Sequence, residues 1–363
     1  MRVLFCGGGT AGHIYPNLAI AETIKNNVSK CKFAYVVTEK GMENSLVPFK
    51  KYPIDVMGLK GISIFHNAKA IVKAVKAQKD CESIIREFRP DIIIGTGGYA
   101  SFPVIKAGYK LGVKIALHES NAVPGKAIKA LEKYASRVFV NFEETKNHLK
   151  FKDKIVRVGN PLRNGYEVYD KERIKSQLGI KEKHVIVCFG GSLGSHMINK
   201  ATADLIKNLV RYEKDIRLIW GTGKREYFDI KRSFEEDKRD FKNVEILDFI
   251  HNMPEAIACA DLVICRAGAI TLSELATSKK CSILVPSPNV ADNHQYKNAK
   301  LFSDSKAAIM LTEEKLYELI DTVKDLLLDG TKRKELEENI AFFSSADANK
   351  LMFNEIVKIL NYK

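Results

Sequence analysis

The sequence contains one short pattern twice, half a chain length apart. VLFCGGGTAGH (3–13) and VIVCFGGSLGSH (185–196) each run from an apolar, β-branched stretch into glycines, a hydroxyl residue and the start of a helical pattern. Aligning their paired glycines gives an offset of 182 in a chain of 363 residues. A strand that ends in a glycine turn and leads into a helix is typical of Rossmann-like folds. The repeat therefore predicts two such domains that face each other.

Short apolar runs alternate with helical patterns along the whole chain. Strands that alternate with longer helices are typical of parallel sheets built from βαβ units. We expect helices over 68–88 and 143–149, and two C-terminal helices, 332–343 and 346–360, that no strand follows. The predicted strands are 3–6, 33–38, 91–95, 114–118, 138–141 and 155–158 in the first half, and 185–189, 217–221, 244–248, 262–265, 282–285 and 307–311 in the second.

The length and the hydrophobic fraction of 45% indicate an ordinary globular protein with two domains. We expect residues 1–162 to form the N-terminal domain, joined by the C-terminal helix 346–363, and residues 163–345 to form the C-terminal domain. The linker is expected near GNPLRNGY (159–166), where a proline and two glycines interrupt the chain. We expect no signal peptide, because the apolar run 3–6 is too short for an h-region and stops at glycine. We expect no membrane span, because no stretch approaches about 18 uncharged apolar residues.

The cysteine pattern and the absence of known metal-binding motifs limit the kinds of chemistry that the sequence supports. The seven cysteines include no C-x-x-C pair, and Cys6, Cys188 and Cys265 lie in strand-like runs. We therefore expect buried, reduced thiols and no zinc. The sequence also contains no D-x-D, no H-E-x-x-H and no Walker lysine loop. Metal-dependent transfer and nucleotide hydrolysis are thus disfavoured, and we predict neither a metal nor a cofactor.

The net charge of +14 belongs entirely to the first half of the chain. Residues 1–163 hold 27 Lys and Arg against 13 Asp and Glu, whereas the remainder holds 31 of each. This asymmetry predicts that one domain meets an anionic surface, either nucleic acid or anionic lipid. We expect no nucleic-acid partner, because the sequence has no basic-aromatic platform or recognised nucleic-acid motif.

Residues 59–79 combine lysines with apolar residues at helical spacing. Three lysines share one face of the predicted helix, apolar residues occupy the other, and three further apolar residues precede the helix. The lysines are Lys69, Lys73 and Lys76. The apolar residues of the other face are Ala68, Ile71, Val72 and Val75, and the apolar residues that precede the helix are Ile62, Ile64 and Phe65. A basic stripe beside apolar residues binds anionic lipid surfaces. We expect peripheral membrane attachment here; the alternative is a surface helix whose apolar face lies in the core.

The first glycine loop has the spacing of a dinucleotide-binding turn, Gly7-x-Gly9-x-x-Gly12. With Glu39 at the end of the second strand, it supports an NAD(P)-dependent oxidoreductase as one alternative, and a tight turn without a ligand is another. His13 falls in the first turn of the following helix, where the helix dipole disfavours imidazolium. A neutral imidazole there can accept a proton, although a lone histidine at a helix start is also commonly a cap or a packing residue.

Three further stretches place polar groups after predicted strands. IIIGTGGYASFP (92–103) and HESN (118–121) end at the same sheet edge as the first loop, where open α/β sheets bind ligands. In VICRAGAITLSELA (263–276), the free amides of a helix start suit a diphosphate, as do the hydroxyls of Thr271 and Ser273. The alternative is a Ser/Thr cap that serves only the fold.

Two side chains near this helix start suit a sugar nucleotide. Glu274 can accept hydrogen bonds from both vicinal hydroxyls of a ribose. Gln295, in DNHQYKNA (292–299), can donate and accept, as sugar hydroxyls require. Together with the diphosphate-binding helix start, they favour a nucleotide-sugar site.

Six motifs together have the order and spacing of one family: GGGTAGHIYP, GTGGYASFP, HESN, GNPLR, GGSLGS and CRAGAITLSELA…DNHQYKNA. From residue 3 to the C-terminus the chain resembles the MurG family, the bacterial UDP-N-acetylglucosamine–N-acetylmuramyl-(pentapeptide) pyrophosphoryl-undecaprenol N-acetylglucosamine transferases. The resemblance implies an α/β GT-B fold, two Rossmann-like domains with parallel sheets facing a central cleft. It implies inverting transfer of GlcNAc from UDP-GlcNAc to the muramyl 4-hydroxyl of polyprenyl-linked lipid I. The product is lipid II, made for peptidoglycan at the cytoplasmic face of the cell membrane.

The resemblance also implies roles for individual residues. His13 is the expected base for the acceptor hydroxyl, with Tyr99 and Glu119 as supporting catalytic candidates. Ile250 is expected at the uracil through its backbone. The implied UDP-GlcNAc contacts are Thr10, Ala11, Gly12, Asn121, Arg163, Ser192, Ile250, Ala269, Ile270, Thr271, Leu272, Ser273, Glu274 and Gln295.

Two positions depart from the family pattern, and other functions stay open. Ala11 stands where a glycine is common, and Ser120 stands where a glutamine is common, which puts that glutamine's contact in doubt. Another GT-B UDP-sugar transferase or a UDP-GlcNAc epimerase fits the donor motif, but the N-terminal motifs argue against both. An NAD(P)-dependent oxidoreductase leaves the motif at 269–274 unexplained.

Overall fold

Two parallel β-sheets organise the computed structural model, one in each of two units of the chain. The structure describes residues 1–58, 64–166, 169–191, 193–237 and 241–361, without the side chains of Ala11 and residues 64–69. One unit comprises Met1–Arg163 with Ser345–Lys363, and the other comprises Asn164–Ser344. Each unit alternates strands and helices, so the prediction of two Rossmann-like α/β folds is confirmed.

The strands and helices alternate in chain order. The strands are β1 (Arg2–Cys6), β2 (Lys32–Thr38), β3 (Lys50–Ile54), β4 (Ile92–Gly95), β5 (Lys114–Glu119), β6 (Arg137–Val140), β7 (Ile155–Arg157), β8 (His184–Phe189), β9 (Ile216–Gly221), β10 (Val244–Leu247), β11 (Leu262–Cys265), β12 (Ser282–Leu284) and β13 (Ile309–Met310). The helices are α1 (Ala11–Asn27), α2 (Glu43–Leu46), α3 (Ile64–Phe88), α4 (Ser101–Lys110), α5 (Lys126–Leu131), α6 (Lys171–Gln177), α7 (His196–Leu205), α8 (Tyr227–Glu236), α9 (Met253–Cys259), α10 (Ala269–Thr277), α11 (His294–Asp304), α12 (Leu319–Leu328), α13 (Gly330–Ile340) and α14 (Ala348–Leu360).

The sheet of the first unit has the order β3-β2-β1-β4-β5-β6-β7 and is parallel throughout. Side chains alternate between the faces of a strand, so β1 contributes to two cores. Val3 and Phe5 pack with α1 and α14, whereas Leu4 and Cys6 pack with α3, α4 and α5. The central strands are therefore apolar on both faces, as expected for a parallel sheet covered by helices.

The C-terminal helix α14 belongs to the first unit. The side-chain amide of Asn349 accepts from the backbone N–H of Leu162 at 3.0 Å and donates to the carbonyl of the same residue at 2.8 Å. The Ser345 hydroxyl accepts from the backbone N–H of Asn160 at 3.1 Å. These hydrogen bonds attach the C-terminal segment, which begins at Ser345, to residues 160–162 of the same unit.

The sheet of the second unit has the order β10-β9-β8-β11-β12-β13, again all parallel. Its core centres on Trp220 of β9, which is fully buried, and on the apolar residues of β8 and β11. Six of the seven cysteines are buried, Cys31 is half-buried, and all are free thiols.

Three local predictions differ from the structure. Sequence reasoning missed β3, an edge strand that contains Pro53 and exposed lysines. Residues Glu143–His148 form a 3₁₀ turn rather than the expected α-helix. Helix α3 begins at Ile64, so Ile64 and Phe65 lie in its first turn instead of preceding it. Among the residues that the structure describes, no helix has the length and apolar character needed to cross a bilayer.

Candidate active site

The candidate active-site residues lie mainly on turns after the strands. In the first unit, the turns after β1 and β4 are neighbours, and the sheet order reverses between these strands. In the second unit, β8 and β11 are the corresponding neighbours. Ligands of open α/β sheets bind outside the carboxyl ends of strands at such a reversal.

Glycines let the turns after β1 and β4 touch. Gly98 has φ +75°, and a Cβ there would lie 2.5 Å from the carbonyl oxygen of Gly8. A Cβ on Gly7 would lie 2.0 Å from the hydroxyl of Thr96. Side chains at these positions would push the turns apart, so the glycines serve the close approach of two backbones.

His13 and Tyr99 lie on these two turns. His13 is half-buried in the first turn of α1, and a Cβ on Gly97 would lie 3.4 Å from its ring atom Cε1. Tyr99 is 39% exposed, and a Cβ on Gly9 would lie 3.7 Å from its ring atom Cε1. The structure therefore brings the predicted base and the predicted supporting tyrosine to the same pair of turns.

The start of α1 offers polar groups to solvent. Thr10 is its exposed N-cap residue, and its side chain makes no capping hydrogen bond. Gly12 is half-buried in the first turn, where the described residues include no acidic side chain. The hydroxyl and the first-turn amides are suited to an anion or a sugar hydroxyl.

Glu119 organises a loop instead of presenting a carboxylate to solvent. Its Oε1 accepts from the backbone and side-chain amides of Asn121, both at 2.9 Å, and its Oε2 accepts from the backbone N–H of Gly125 at 2.8 Å. Burial raises the pKa of Glu119, while these hydrogen bonds oppose the shift. Asn121 is thereby held at the end of β5, and neighbouring Ser120 is buried.

His118 is a neutral histidine beneath this edge. It is fully buried, and its Nε2 lies 3.0 Å from the carbonyl oxygen of Gly159, an arrangement that needs a protonated Nε2. Burial lowers the pKa of His118 to about 4, and repulsion from a protonated His13 adds to the shift. His118 therefore supports the fold at neutral pH as an uncharged donor.

Arg163, a predicted donor contact, is the last residue of the N-terminal segment of the first unit. Its guanidinium lies 4.7 Å from the centre of the Tyr15 ring and is exposed. Tyr15 belongs to α1, two residues beyond His13. The cation–π contact places a positive charge near the start of α1.

Three buried polar side chains at this edge escaped sequence reasoning: Asn17, Tyr35 and Thr96. Asn17 donates to Tyr35 and Thr96, and Thr96 donates to the carbonyl of His13. The available signal was an asparagine inside an otherwise apolar stretch of α1.

In the second unit, helix α10 presents an uncapped N-terminus after β11. Its N-cap is Gly268, which has no side chain to satisfy the first amides, and no acidic residue lies in its first turn. The adjacent Arg266 donates to the Ser195 hydroxyl at 2.5 Å and to the carbonyl of Val285 at 3.1 Å, and it pairs with Glu313. Arg266 thus joins the turns after β8, β11 and β12 and is not a free cation.

Burial and hydrogen bonds within the protein limit which groups at the start of α10 are available to a diphosphate. Leu272 is fully buried, and its N–H already donates to the carbonyl of Gly268 at 3.0 Å. The Ser273 side chain is 1% exposed, so its hydroxyl faces the protein. Ile270 and Thr271 are half-buried and Ala269 is buried, and these three residues form the first turn. Their backbone amides and the Thr271 hydroxyl are the suitable groups.

Three other predicted donor contacts belong to the second unit. Glu274 is 9% exposed on α10. Ile250 is buried against Gly221, at the start of the turn that precedes α9. Gln295 is half-buried and accepts from the backbone N–H of Ser287 at 2.9 Å through Oε1. Ser192 and Ile62 lie outside the described residues.

Helix α3 exposes an apolar stripe. Ile71, Val72 and Val75 are 59%, 69% and 60% exposed, whereas Ala70 and Ala77 face the core. The alternative in which the apolar face lies in the core is therefore wrong for these three residues.

The lysines flanking this stripe differ in their surroundings. Lys76 is exposed, and Lys73 pairs with Asp55 at 2.6 Å. The side chains of Ile64, Phe65, Ala68 and Lys69 are outside the described set.

Among the residues that the structure describes, no group of three or more His, Cys, Asp or Glu residues forms a candidate metal site.

Comparison with known proteins identifies the family. Residues 3–140 match the glycosyltransferase family 28 N-terminal domain, and residues 185–352 match the family 28 C-terminal domain. A curated protein of Alkaliphilus metalliredigens is 34% identical over 99% of this chain and 100% of its own length. Its name is UDP-N-acetylglucosamine–N-acetylmuramyl-(pentapeptide) pyrophosphoryl-undecaprenol N-acetylglucosamine transferase. The chain belongs to the MurG family.

Solved structures agree with the assignment to the MurG family. Acinetobacter baumannii MurG is 26% identical, with a TM-score of 0.76 over 98% of this chain and 99% of that one. A Neisseria meningitidis UDP-GlcNAc 2-epimerase bound to UDP-GlcNAc has a TM-score of 0.66 but only 12% identity, over 99% of this chain and 100% of that one. The second likeness shows a shared fold alone, so the epimerase alternative is not favoured.

Proposed function

We propose that this chain transfers GlcNAc from UDP-GlcNAc to the muramyl 4-hydroxyl of polyprenyl-linked lipid I, with inversion, in peptidoglycan biosynthesis. The observation that carries the proposal is its full-length similarity to relatives named as N-acetylglucosamine transferases. The polar turns after β1, β4, β5 and β11 supply groups suited to a nucleotide-sugar donor and an alcohol acceptor.

The second unit is the proposed holder of the UDP part of the donor. Ile250 is assigned to the uracil through its backbone, at the turn that precedes α9. The Glu274 carboxylate suits the two ribose hydroxyls. Gln295 can donate its NH₂ to a GlcNAc oxygen while its Oε1 accepts from the backbone N–H of Ser287. Ser192 is assigned to the same donor on its sequence position alone.

The first turn of α10 is proposed to stabilise the departing diphosphate. Transfer releases UDP, whose negative charge must be stabilised as the glycosidic bond breaks. The first-turn amides of Ala269, Ile270 and Thr271 have no acidic neighbour within that turn. Helix N-terminal amides are oriented donors that need no reorganisation during the reaction.

The first unit is proposed to supply the base. The nucleophile is an alcohol, which must lose a proton as it attacks the anomeric carbon. His13 is the only histidine of the glycine turns after β1 and β4, all of whose residues the structure describes. The proposal gives Tyr99 an acceptor-side contact and Glu119 a positioning role through Asn121. Thr10, Ala11, Gly12 and Arg163 complete the proposed contacts to the sugar end of the donor.

A transfer assay tests the proposed reaction directly. Labelled UDP-GlcNAc is incubated with a lipid I analogue, with the same analogue lacking the muramyl 4-hydroxyl, or with no acceptor. We expect a disaccharide product only with the complete acceptor. Thermal shift with UDP and with NAD provides the control for the alternative classes. Stabilisation by NAD but not by UDP, or 2-epimerisation of UDP-GlcNAc without transfer, contradicts the proposal.

We also propose that α3 attaches the enzyme to the anionic cytoplasmic face of the cell membrane as a peripheral protein. The exposed Ile71, Val72 and Val75 support this, because burial in a lipid interface removes their apolar surface from water. Nearby lysines each add about 1 kcal/mol at an anionic surface. The acceptor carries a polyprenyl anchor, so the enzyme must meet its substrate at that surface.

Flotation with anionic vesicles tests the attachment. Reversing the charge of Lys69, Lys73 and Lys76 together is expected to release the protein from the vesicles. Reversing Lys200, Lys214 and Lys334, which are exposed lysines of the second unit, provides the matched control. Equal flotation of both triple variants contradicts the proposed surface.

A further inference from the structure

A buried polar cluster lies beneath the first glycine turn, and the proposed reaction assigns it no role. Its members are Asn17 of α1, Tyr35 of β2 and Thr96 after β4, with exposures of 0%, 0% and 3%. Polar side chains sealed from water are retained at a cost unless they are hydrogen-bonded. Their common neighbours are backbone carbonyls of the turn and of the start of α1.

The neighbouring backbone carbonyls can only accept hydrogen bonds, and this determines which side-chain groups of the cluster donate. Tyr35 donates to the carbonyl of Gly7 at 2.7 Å, and burial raises the pKa of Tyr35, which keeps the phenol protonated. The phenolic oxygen therefore accepts from Asn17 Nδ2 at 3.1 Å. Asn17 Nδ2 also lies 3.3 Å from the carbonyl of Cys6, which can only accept. This contact fixes which end of the side-chain amide faces the turn.

Thr96 connects this cluster to His13. Its hydroxyl accepts from Asn17 Nδ2 at 3.2 Å and donates to the backbone carbonyl of His13. A Cβ on Gly7 would lie 2.0 Å from the same hydroxyl, so the absence of a side chain at Gly7 gives Thr96 its access. The bond joins residues 83 positions apart in the sequence.

Pro16 removes one hydrogen bond from the start of α1. Proline has no N–H, so the helix lacks the bond that residue 16 would donate to the carbonyl of Gly12. The missing bond belongs to the turn that carries His13. The Thr96 hydroxyl ties the next carbonyl of that turn to the end of β4, which is a fixed part of the sheet.

We propose that Thr96 is a positioning residue for His13. Its hydroxyl, oriented by Asn17, fixes the first turn of α1 against the turn after β4 and so sets where the imidazole stands. The inference rests on the proposed role of His13 as the base. Misplacing a catalytic group by about 1 Å costs on the order of 100-fold in rate, which sets the scale of the expected effect.

The test compares Thr96→Val with Thr96→Ser. Valine keeps the branched shape and removes the hydroxyl, whereas serine keeps the hydroxyl. We expect Thr96→Val to lower kcat by about 10- to 100-fold with an unchanged Kd for UDP, and Thr96→Ser to recover most of the turnover. Thr96→Ala provides a second hydroxyl-free variant with no added bulk, should valine impair folding, and the same loss is expected.

A double-mutant cycle with His13→Ala separates positioning from a general structural effect. If Thr96 acts through His13, Thr96→Val causes no further loss of kcat in the His13→Ala background. Turnover within about twofold of wild type in a folded Thr96→Val or Thr96→Ala protein overturns the inference, as does an equal loss in both backgrounds. Full turnover of His13→Ala alone instead refutes the proposed base, a separate outcome.

Discussion

The two glycine motifs are alike in sequence but differ in where the following helix begins. With the offset of 182, His13 of the first unit aligns with Ser195 of the second. Helix α1 begins at Ala11 and includes His13 in its first turn. Helix α7 begins at His196, so Ser195 is its N-cap and accepts from the backbone N–H of Ile198 at 3.4 Å. At the equivalent position of the two motifs, the first unit therefore has the imidazole of His13 inside a helix, and the second has the capping hydroxyl of Ser195.

The neighbouring turn accounts for this difference. In the second unit, Gly194 has φ +78°, and a Cβ there would lie 2.1 Å from the carbonyl of Thr222, after β9. A residue with that φ cannot belong to the right-handed helix, so α7 starts after it. In the first unit the close approach is instead between Gly8 and Gly98, after β4, and Gly12 is free to be helical.

Each unit has a buried asparagine at the same position relative to its glycine motif. Asn17 and Asn199 are also separated by 182 residues, and both are buried. Asn17 donates towards Thr96, whereas Asn199 donates to the carbonyl of Thr222 at 2.9 Å and accepts from the Trp220 indole at 3.2 Å. The asparagine is the same in both units while the turn that it binds differs, so the neighbouring turns adapt one motif to two structural roles.

The largest expected effect separates the chemical roles of the two units. His13→Ala removes the proposed base and is expected to lower kcat by about 100- to 10,000-fold while UDP binding is unchanged. Glu274→Ala is expected to raise the KM for UDP-GlcNAc by about 10- to 100-fold, because hydrogen bonds to a carboxylate are lost. Steady-state kinetics in both substrates and calorimetry with UDP measure the split. Glu274→Gln is the control that keeps the shape.

The division of roles fails if both variants change the same parameter. Weaker UDP binding in His13→Ala, comparable to that in Glu274→Ala, would place the histidine in the donor site. Unchanged UDP-GlcNAc affinity in Glu274→Ala would remove the second unit's ribose contact.

Alanine substitutions test the close approach of turns in each unit. Gly98→Ala and Gly223→Ala place a Cβ 2.5 Å and 2.2 Å from backbone atoms, at φ +75° and +83°. We expect each to lower the free energy of unfolding by about 2–4 kcal/mol, from clash and strain together. Urea denaturation measures the loss.

Two other glycines provide matched controls. Gly112 and Gly179 have φ +72° and +68°, but a Cβ there meets nothing within 4 Å. Alanine at these positions introduces only backbone strain, about 1 kcal/mol. If Gly98→Ala costs no more than Gly112→Ala, the two turns of the first unit do not support each other.

A smaller effect concerns pH and is confined to the first unit. The pKa of His118 is about 4 in the fold, against 6.5 ordinarily, so the unfolded chain binds a proton more readily between these values. Stability is therefore lost as pH falls from about 6.5 towards 4. Between pH 7.5 and 5, wild type should lose about 2 kcal/mol more than His118→Gln, whose amide keeps a donor for Gly159. Parallel urea titrations at the two pH values measure the difference, and equal losses would contradict it.

Much of the architecture was accessible from local patterns. Period, glycine turns and apolar runs located twelve of the thirteen strands among the described residues, and the missed strand, β3, is an edge strand with two exposed lysines and a proline. The position of His13 in the first turn of α1 also followed from sequence. The roles of Leu272, Ser273 and Arg266 did not, because burial and long-range pairing decide which groups remain available to a ligand.

The sequence by itself determined the alternation of strands and helices, the two glycine motifs at one offset and the family, since each depends on residues close together in the chain or on whole-length similarity. Only the tertiary structure decided which turns touch, that Thr96 holds the carbonyl of His13, and that Val72 faces solvent while Ala70 faces the core. These facts depend on contacts between residues far apart in sequence and on the direction in which a helix is packed. Apolar character alone specifies neither.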